Sequence, residues 1–142
     1  MGVEWYLQAH CIGGEQVVSR KKIHSILSEY QSKTEDGRTV VTLPEGDVDF
    51  YMDLSDEISG LMIARPIQSL SLDRIIYKIM QCGTFVLFAP DAQYPIVLHH
   101  ETINHLPDGM LNALGEPQIA DNIESFPAYC KRCLRWHIRV ER

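Results

Sequence analysis

Residues 39–54 read "TVVTLPEGDVDFYMDL". Thr39 to Leu43 is a short β-branched run that Pro44 stops, because proline has no N–H to give to a ladder. Beyond Gly46 the chain alternates. Val48, Phe50, Met52 and Leu54 fall on one side, with Asp47, Asp49, Tyr51 and Asp53 on the other. That period of two belongs to a half-buried strand. Nothing between the two runs is long enough to be a crossover helix, so they pair as a hairpin. The sheet therefore contains antiparallel pairs, which separates this chain from the alternating β-α-β proteins.

The flanks extend the pattern. Residues 3–12, "VEWYLQAHCI", alternate in the same way until Gly13 and Gly14. Ser19 is placed to cap a helix over "RKKIHSILSEYQSK", where Ile23, Ile26, Leu27 and Tyr30 make one apolar stripe. "TEDGR" is a turn. After "SDEISG", "LMIAR" reads as a partner strand ending before Pro66. Ser71 is placed to cap a second helix, "LDRIIYKIMQC", with Leu72, Ile75, Ile76, Ile79 and Met80 on one face and Gly83 beyond its end. "TFVLFA" and "YPIVLHH" flank "PDAQ" as a further hairpin. A weaker helical stretch runs over residues 101–115 and is interrupted by Pro107; "PQIADNIESF" adds a turn or two. In "CLRWHIRVER", Leu134, Trp136, Ile138 and Val140 alternate with Cys133, Arg135, His137, Arg139 and Glu141, giving a strand with one basic face. The expected architecture is a single α+β domain over residues 1–142. It has an antiparallel or mixed sheet of six to seven strands, with two to four helices packed mainly on one side.

At 142 residues, 45% hydrophobic and 23% charged, the chain is an ordinary size and composition for one core. The net charge of −6 disfavours direct binding to nucleic acid, which needs a basic surface. No apolar run approaches the ~18 residues of a membrane helix. The first ten residues lack the basic and apolar regions of a signal peptide, so the expected location is cytoplasmic. Cys11, Cys82, Cys130 and Cys133 are then expected to be reduced.

The motifs that resemble catalytic or metal centres are incomplete. Cys130 and Cys133 have the spacing of half a zinc site, but Cys11 and Cys82 are isolated and supply no second pair. As a redox pair the two cysteines would be expected to open a helix after a strand. "HHETINH" gathers His99, His100, Glu101 and His105. His100 and His105 are five apart, however, and a helical zinc signature needs four; the extra residue turns them roughly 140° from alignment. There is no G-x-S-x-G elbow and no phosphate-binding loop. No cofactor is called for.

Charge is distributed unevenly. Between Glu35 and Glu57 there are eight acidic residues against Arg38 alone, a net of −7, while the rest of the chain nearly balances. Three readings follow. The face of Asp47, Asp49 and Asp53 is a solvated surface neutralised by Arg135 and Arg139 from a neighbouring strand. Or it is a docking surface for a basic protein, with Tyr51 as anchor and Asp56 and Glu57 at the strand end. Or it is a divalent-metal site for hydrolysis or nuclease chemistry, for which the His99, His100 and His105 cluster is the other candidate.

The acidic segment "PEGDVDFYMDLSDE" in a small α+β chain without a catalytic signature resembles the immunity proteins of bacterial polymorphic-toxin and contact-dependent inhibition systems. The resemblance implies a non-catalytic inhibitor that binds a basic toxin domain, such as a nuclease, in the cytoplasm and occludes its active site. On that reading the partner-binding residues are Asp47, Asp49, Tyr51, Asp53, Asp56 and Glu57, with no metal and no cofactor.

Overall fold

The computed structural model describes residues 4–90 and 92–135. Its central strand is β1, Glu4–Cys11, where Trp5, Leu7 and Ala9 are buried and the residues between them are half-covered. β1 turns through Ile12 and Gly13, both at positive φ, into the two-residue β2, Gly14–Glu15. β3, Val18–Ser19, leads into α1, Arg20–Leu27, with the Ser19 hydroxyl accepting from the Lys22 N–H at 3.3 Å as expected of its cap.

The helix stops earlier than its periodicity predicts. Gln31–Glu35 is a strand, β4, paired with β5, Arg38–Leu43. The turn between them is Asp36-Gly37 with φ of 51° and 81°, the geometry of a tight hairpin that follows the twist of its strands. Pairing across this turn overrides the weak helical preference of a polar segment. Gly37 is also crowded, since a Cβ there would meet the Met52 carbonyl at 2.8 Å. β6, Gly46–Tyr51, completes the hairpin read at residues 39–54.

A short β7, Glu57–Ile58, pairs with β3, and β8, Gly60–Ala64, inserts between β1 and β6. α2, Leu70–Met80, is capped by Ser69, whose hydroxyl accepts from Leu72 at 3.1 Å; Ser71 lies one position inside the helix. β9, Phe85–Phe88, and β10, Ile96–Val97, form the later hairpin. A 3-10 turn at His100–His105 and α3, Asp108–Leu114, lead to β11, Gln118–Ile119, which runs parallel to β10. α4, Phe126–Cys130, passes into a π-helical turn at Lys131–Arg135.

The result is a single α+β domain. Its mixed, mostly antiparallel main path runs β11-β10-β9-β1-β8-β6-β5-β4. Among the described residues eleven strands form, more than the six or seven expected, because several are two-residue pairings too short to show a period. Cys133 to Arg135 belong to the π-helical turn, which corrects the strand expected there; the remainder of that expected strand, residues 136–142, lies outside the described residues.

The sheet has two unlike faces. On the inner face Trp5, Leu7, Val48, Phe50, Leu61, Ile63 and Leu87 pack with Ile23 and Leu27 of α1, Ile75, Ile76 and Ile79 of α2, and Phe126 of α4. Tyr77 meets Phe126 edge-on at 5.4 Å, joining α2 to α4. On the outer face the segment from the 3-10 turn to α3 covers one end only, packing Leu106, Ile103, Met110 and Leu111 against Val86 and Val97. Among the described residues, the outer hydrophobic cluster is confined to that end.

Candidate functional site

Register decides which outer residues stand side by side. Phe88 is opposite Tyr6, Tyr6 opposite Met62, Met62 opposite Tyr51, and Tyr51 opposite Arg38. Directly opposed side chains have Cβ atoms ~5 Å apart, so these residues form one continuous row across five strands. Tyr6 and Phe88 stack at 5.6 Å between ring centroids. Tyr51, at 37% exposure, is the most open apolar member of the row. An aromatic and methionine row of this kind on a sheet surface is unusual unless something packs on it.

On one side the row is bordered by the neutral rung of Val86, Gln8 and Gly60, and on the other by charge. The next rung is Glu4, Ala64, Asp49, Val40 and Lys33, and beyond it Asp47 lies opposite Thr42. Asp49 is not the exposed acid expected from its alternation. It does lie on the outer side, but it is 3% exposed, because Arg65 donates to its Oδ2 at 2.8 Å and Arg38 approaches the same oxygen at 3.4 Å. Arg65 follows β8 with φ at 53°, a left-handed backbone uncommon outside glycine, asparagine and aspartate. Its hydrogen bond to Asp49, followed by the charges of Asp49, Tyr51 and Asp47, pushes the Arg65 guanidinium higher still. Among the described residues the cations on this carboxylate are Arg38 and Arg65. Arg139 lies outside the described residues.

Asp47 and Asp53 are exposed and form no ion pair among the described residues. Asp53 lies two residues past Tyr51, beyond the end of β6. Asp56 and Glu57 are drawn away from this face. Glu57 pairs with Ser19, and Arg20 binds the loop through its N–H to the Asp56 carbonyl at 2.9 Å and its Nε to the Ser55 carbonyl at 3.0 Å. The structure therefore gathers Asp47, Asp49, Tyr51 and Asp53 and separates Asp56 and Glu57 from them.

The sequence-derived metal candidates are dispersed. No group of three or more His, Cys, Asp or Glu residues placed to hold a metal ion occurs among the described residues. His105 Nδ1 accepts from the Ile12 N–H at 3.1 Å, while His99 and His100 are exposed at the start of the 3-10 turn. Cys130 and Cys133 are buried against the inner core, and burial pushes the Cys133 thiol up, partly offset by Arg132.

A cavity of about 220 Å³ lies at the Gln8–Gly60 rung beside the row, lined by Gln8, Ala9, His10, Glu15, Asp53, Ser59 and Gly60. Sequence reasoning had singled out only Asp53 among these. Tyr6, Met62 and Phe88 were also missed as site residues, because alternation along one strand says nothing about its neighbours. No helix among the described residues is long and apolar enough to cross a membrane. Compared with known protein families, curated proteins and solved structures, the chain matches none significantly.

Proposed function

We propose that the protein is a non-catalytic binding module that neutralises a basic toxin domain, a nuclease being the best fit, by covering its active site. The observation that carries this reading is the row of half-buried Phe88, Tyr6 and Met62 and exposed Tyr51, which runs in register across the outer face with Glu4 and Asp47 on one side of it. Binding energy at interfaces concentrates in a few central aromatic anchors, and charge at the rim sets encounter rate and partner choice. Glu4, Asp47 and Asp53 supply the rim for a partner whose groove is built to receive phosphates. The chain's acidic window, −7 between Glu35 and Glu57, gives the same sign of field over a longer range.

The competing reading as a metal-dependent hydrolase or nuclease needs the Asp47, Asp49 and Asp53 cluster or the His99, His100 and His105 cluster as ligands. Asp49 is already held by two guanidinium groups. The test is coexpression with a basic toxin domain encoded beside this gene, followed by surface plasmon resonance on the purified pair. Wild type should restore growth and bind. Tyr6→Ser with Tyr51→Ser should raise the dissociation rate by about tenfold or more, the effect of losing anchors each worth upward of ~1 kcal/mol. Unchanged dissociation in a variant that retains its melting temperature would place the interface elsewhere.

A further inference from the structure

Two turns in this chain share one backbone geometry and differ in their sequence logic. Cys11 pairs with Gly14 and Glu35 with Arg38, so each hairpin turns through two residues, Ile12-Gly13 and Asp36-Gly37. The φ angles are 49° and 80° in the first turn and 51° and 81° in the second. Asp-Gly is a pair that such a turn favours, because aspartate tolerates positive φ and glycine is indifferent to it. Isoleucine is the contrary choice, since its branched Cβ crowds the backbone at positive φ. The core does not require it there. Ile12 is 81% exposed and belongs to neither hydrophobic cluster.

The strained turn is nonetheless held in place. His105 Nδ1 accepts from the Ile12 N–H at 3.1 Å, and the His105 carbonyl accepts from the Gly13 N–H at 3.0 Å. His105 stands between Ile103 and Leu106, which pack into the outer cluster, so the clamp is fixed to the sheet. A strained residue persists only where the surrounding structure over-determines it, and such residues gather at functional sites. Here the product of the strain is one apolar side chain standing in solvent.

We propose that Ile12 is a second anchor of the docking face and seats in an apolar pocket of the basic partner. The proposal rests on the reading of the outer face as a docking surface and adds one contact to it. Its bonds to His105 set the turn beside the segment that covers the outer face, so it shares that side of the sheet with the row. Ile12 is six residues beyond Tyr6 in sequence, roughly 20 Å at strand spacing. A standard interface covers ~800 Å² on each partner and reaches both. A β-branched side chain has few rotamers, and a turn pinned at both N–H groups has little freedom left, so docking costs it little entropy. Interface anchors act in this way, as rigid side chains filling a partner's pocket.

The experiment compares wild type with Ile12→Asn, which restores a residue type that this turn prefers. Melting temperature is read on the free full chain, and dissociation from the basic toxin domain by surface plasmon resonance. The two should move in opposite senses. Melting temperature should rise by about 2–4 °C as the strain is relieved. Dissociation should become about tenfold faster as the anchor is lost. Ile12→Val, still apolar and branched, should keep both values near wild type. A level or lower melting temperature in Ile12→Asn would mean that the turn stores no strain or that Ile12 serves the fold, and either would overturn the proposal. Unchanged dissociation would also overturn it. If Tyr6→Ser with Tyr51→Ser weakens binding and Ile12→Asn does not, the anchor is removed and the docking face stands. If Ile12→Asn weakens binding and the tyrosine pair is indifferent, the anchor stands and the row is removed. A wild-type chain that binds no basic toxin domain overturns both readings.

Discussion

A carboxylate as buried as Asp49 is costly to the fold unless cations lie over it. Both partners reach it through one oxygen, and its Oδ1 has no hydrogen-bond partner among the described residues. Arg65 is largely exposed, so losing Asp49 leaves a cation that water can take, whereas losing Arg65 leaves a buried anion with only the longer Arg38 contact. Arg65→Ala should therefore lower the melting temperature more than Asp49→Asn does. Asp49→Lys, which places a third cation between two, should cost on the order of 3 kcal/mol or more. Asp47→Lys should leave stability within about 0.5 kcal/mol, since Asp47 is exposed. Denaturant melts of the four variants check the order. The thiols divide in a similar way. Cys11 is exposed and should be alkylated by iodoacetamide in the native protein, while Cys130 and Cys133 should react only on unfolding, as mass spectrometry of timed samples will show. Cys133 in the fold holds its proton to higher pH than in the unfolded chain, mainly because burial disfavours the thiolate. Above the ordinary thiol range the unfolded state therefore binds fewer protons, and stability should fall as pH rises. Cys133→Ala should flatten that alkaline slope in melts taken across the same range.

α2 was the most legible element, because Leu72, Ile75, Ile76, Ile79 and Met80 repeat at the helical period and all five are buried. Ile76 is fully enclosed between the inner sheet face and its neighbours, so Ile76→Ala should cost about 2–5 kcal/mol in a urea melt. A loss under about 0.5 kcal/mol would mean that the helix does not seat on the sheet. β4 was illegible for the opposite reason. Gln31–Glu35 carries almost no apolar residue and sits at the sheet edge, so neither alternation nor propensity betrays a strand. What makes it one is the Asp36-Gly37 turn, which folds it onto β5. The turn is visible in the sequence, but a polar segment before it carries no period to show that it pairs. The cap of α2 shows a finer limit. Ser69 and Ser71 are equal candidates by residue type, and only the backbone at the helix start selects Ser69.

For the molecule as a whole, the candidate face was half legible. The alternation along β6 placed Asp47, Asp49, Tyr51 and Asp53 together, but the depth of each depends on groups from elsewhere in the chain. Arg65 buries Asp49, and Met62, Tyr6 and Phe88 extend Tyr51 into a row only through pairings distant in sequence. An excess of carboxylates at the rim should show in kinetics more than in final affinity. Association with a basic partner should slow as salt shortens the electrostatic reach to ~8 Å at physiological ionic strength, while dissociation changes little. Stopped-flow traces at several salt concentrations check this, and a salt-independent association rate would rule out steering. The alternation in β6 also bears on how such a protein can change over generations. Val48 and Phe50 are fully buried, while their neighbours Asp47 and Tyr51 contribute nothing to the inner core. Changes at Val48 and Phe50 therefore act on the core, changes at Asp47 and Tyr51 on the surface, and Asp49, held by Arg38 and Arg65, belongs with the first group. A library randomised at positions 47, 51, 53 and 62 should retain far more folded members than one randomised at 48, 50, 61 and 63 when both are sorted by protease resistance. A lineage with this arrangement can rewrite positions 47 and 51 of β6 freely, while positions 48, 49 and 50 stay tied to the fold.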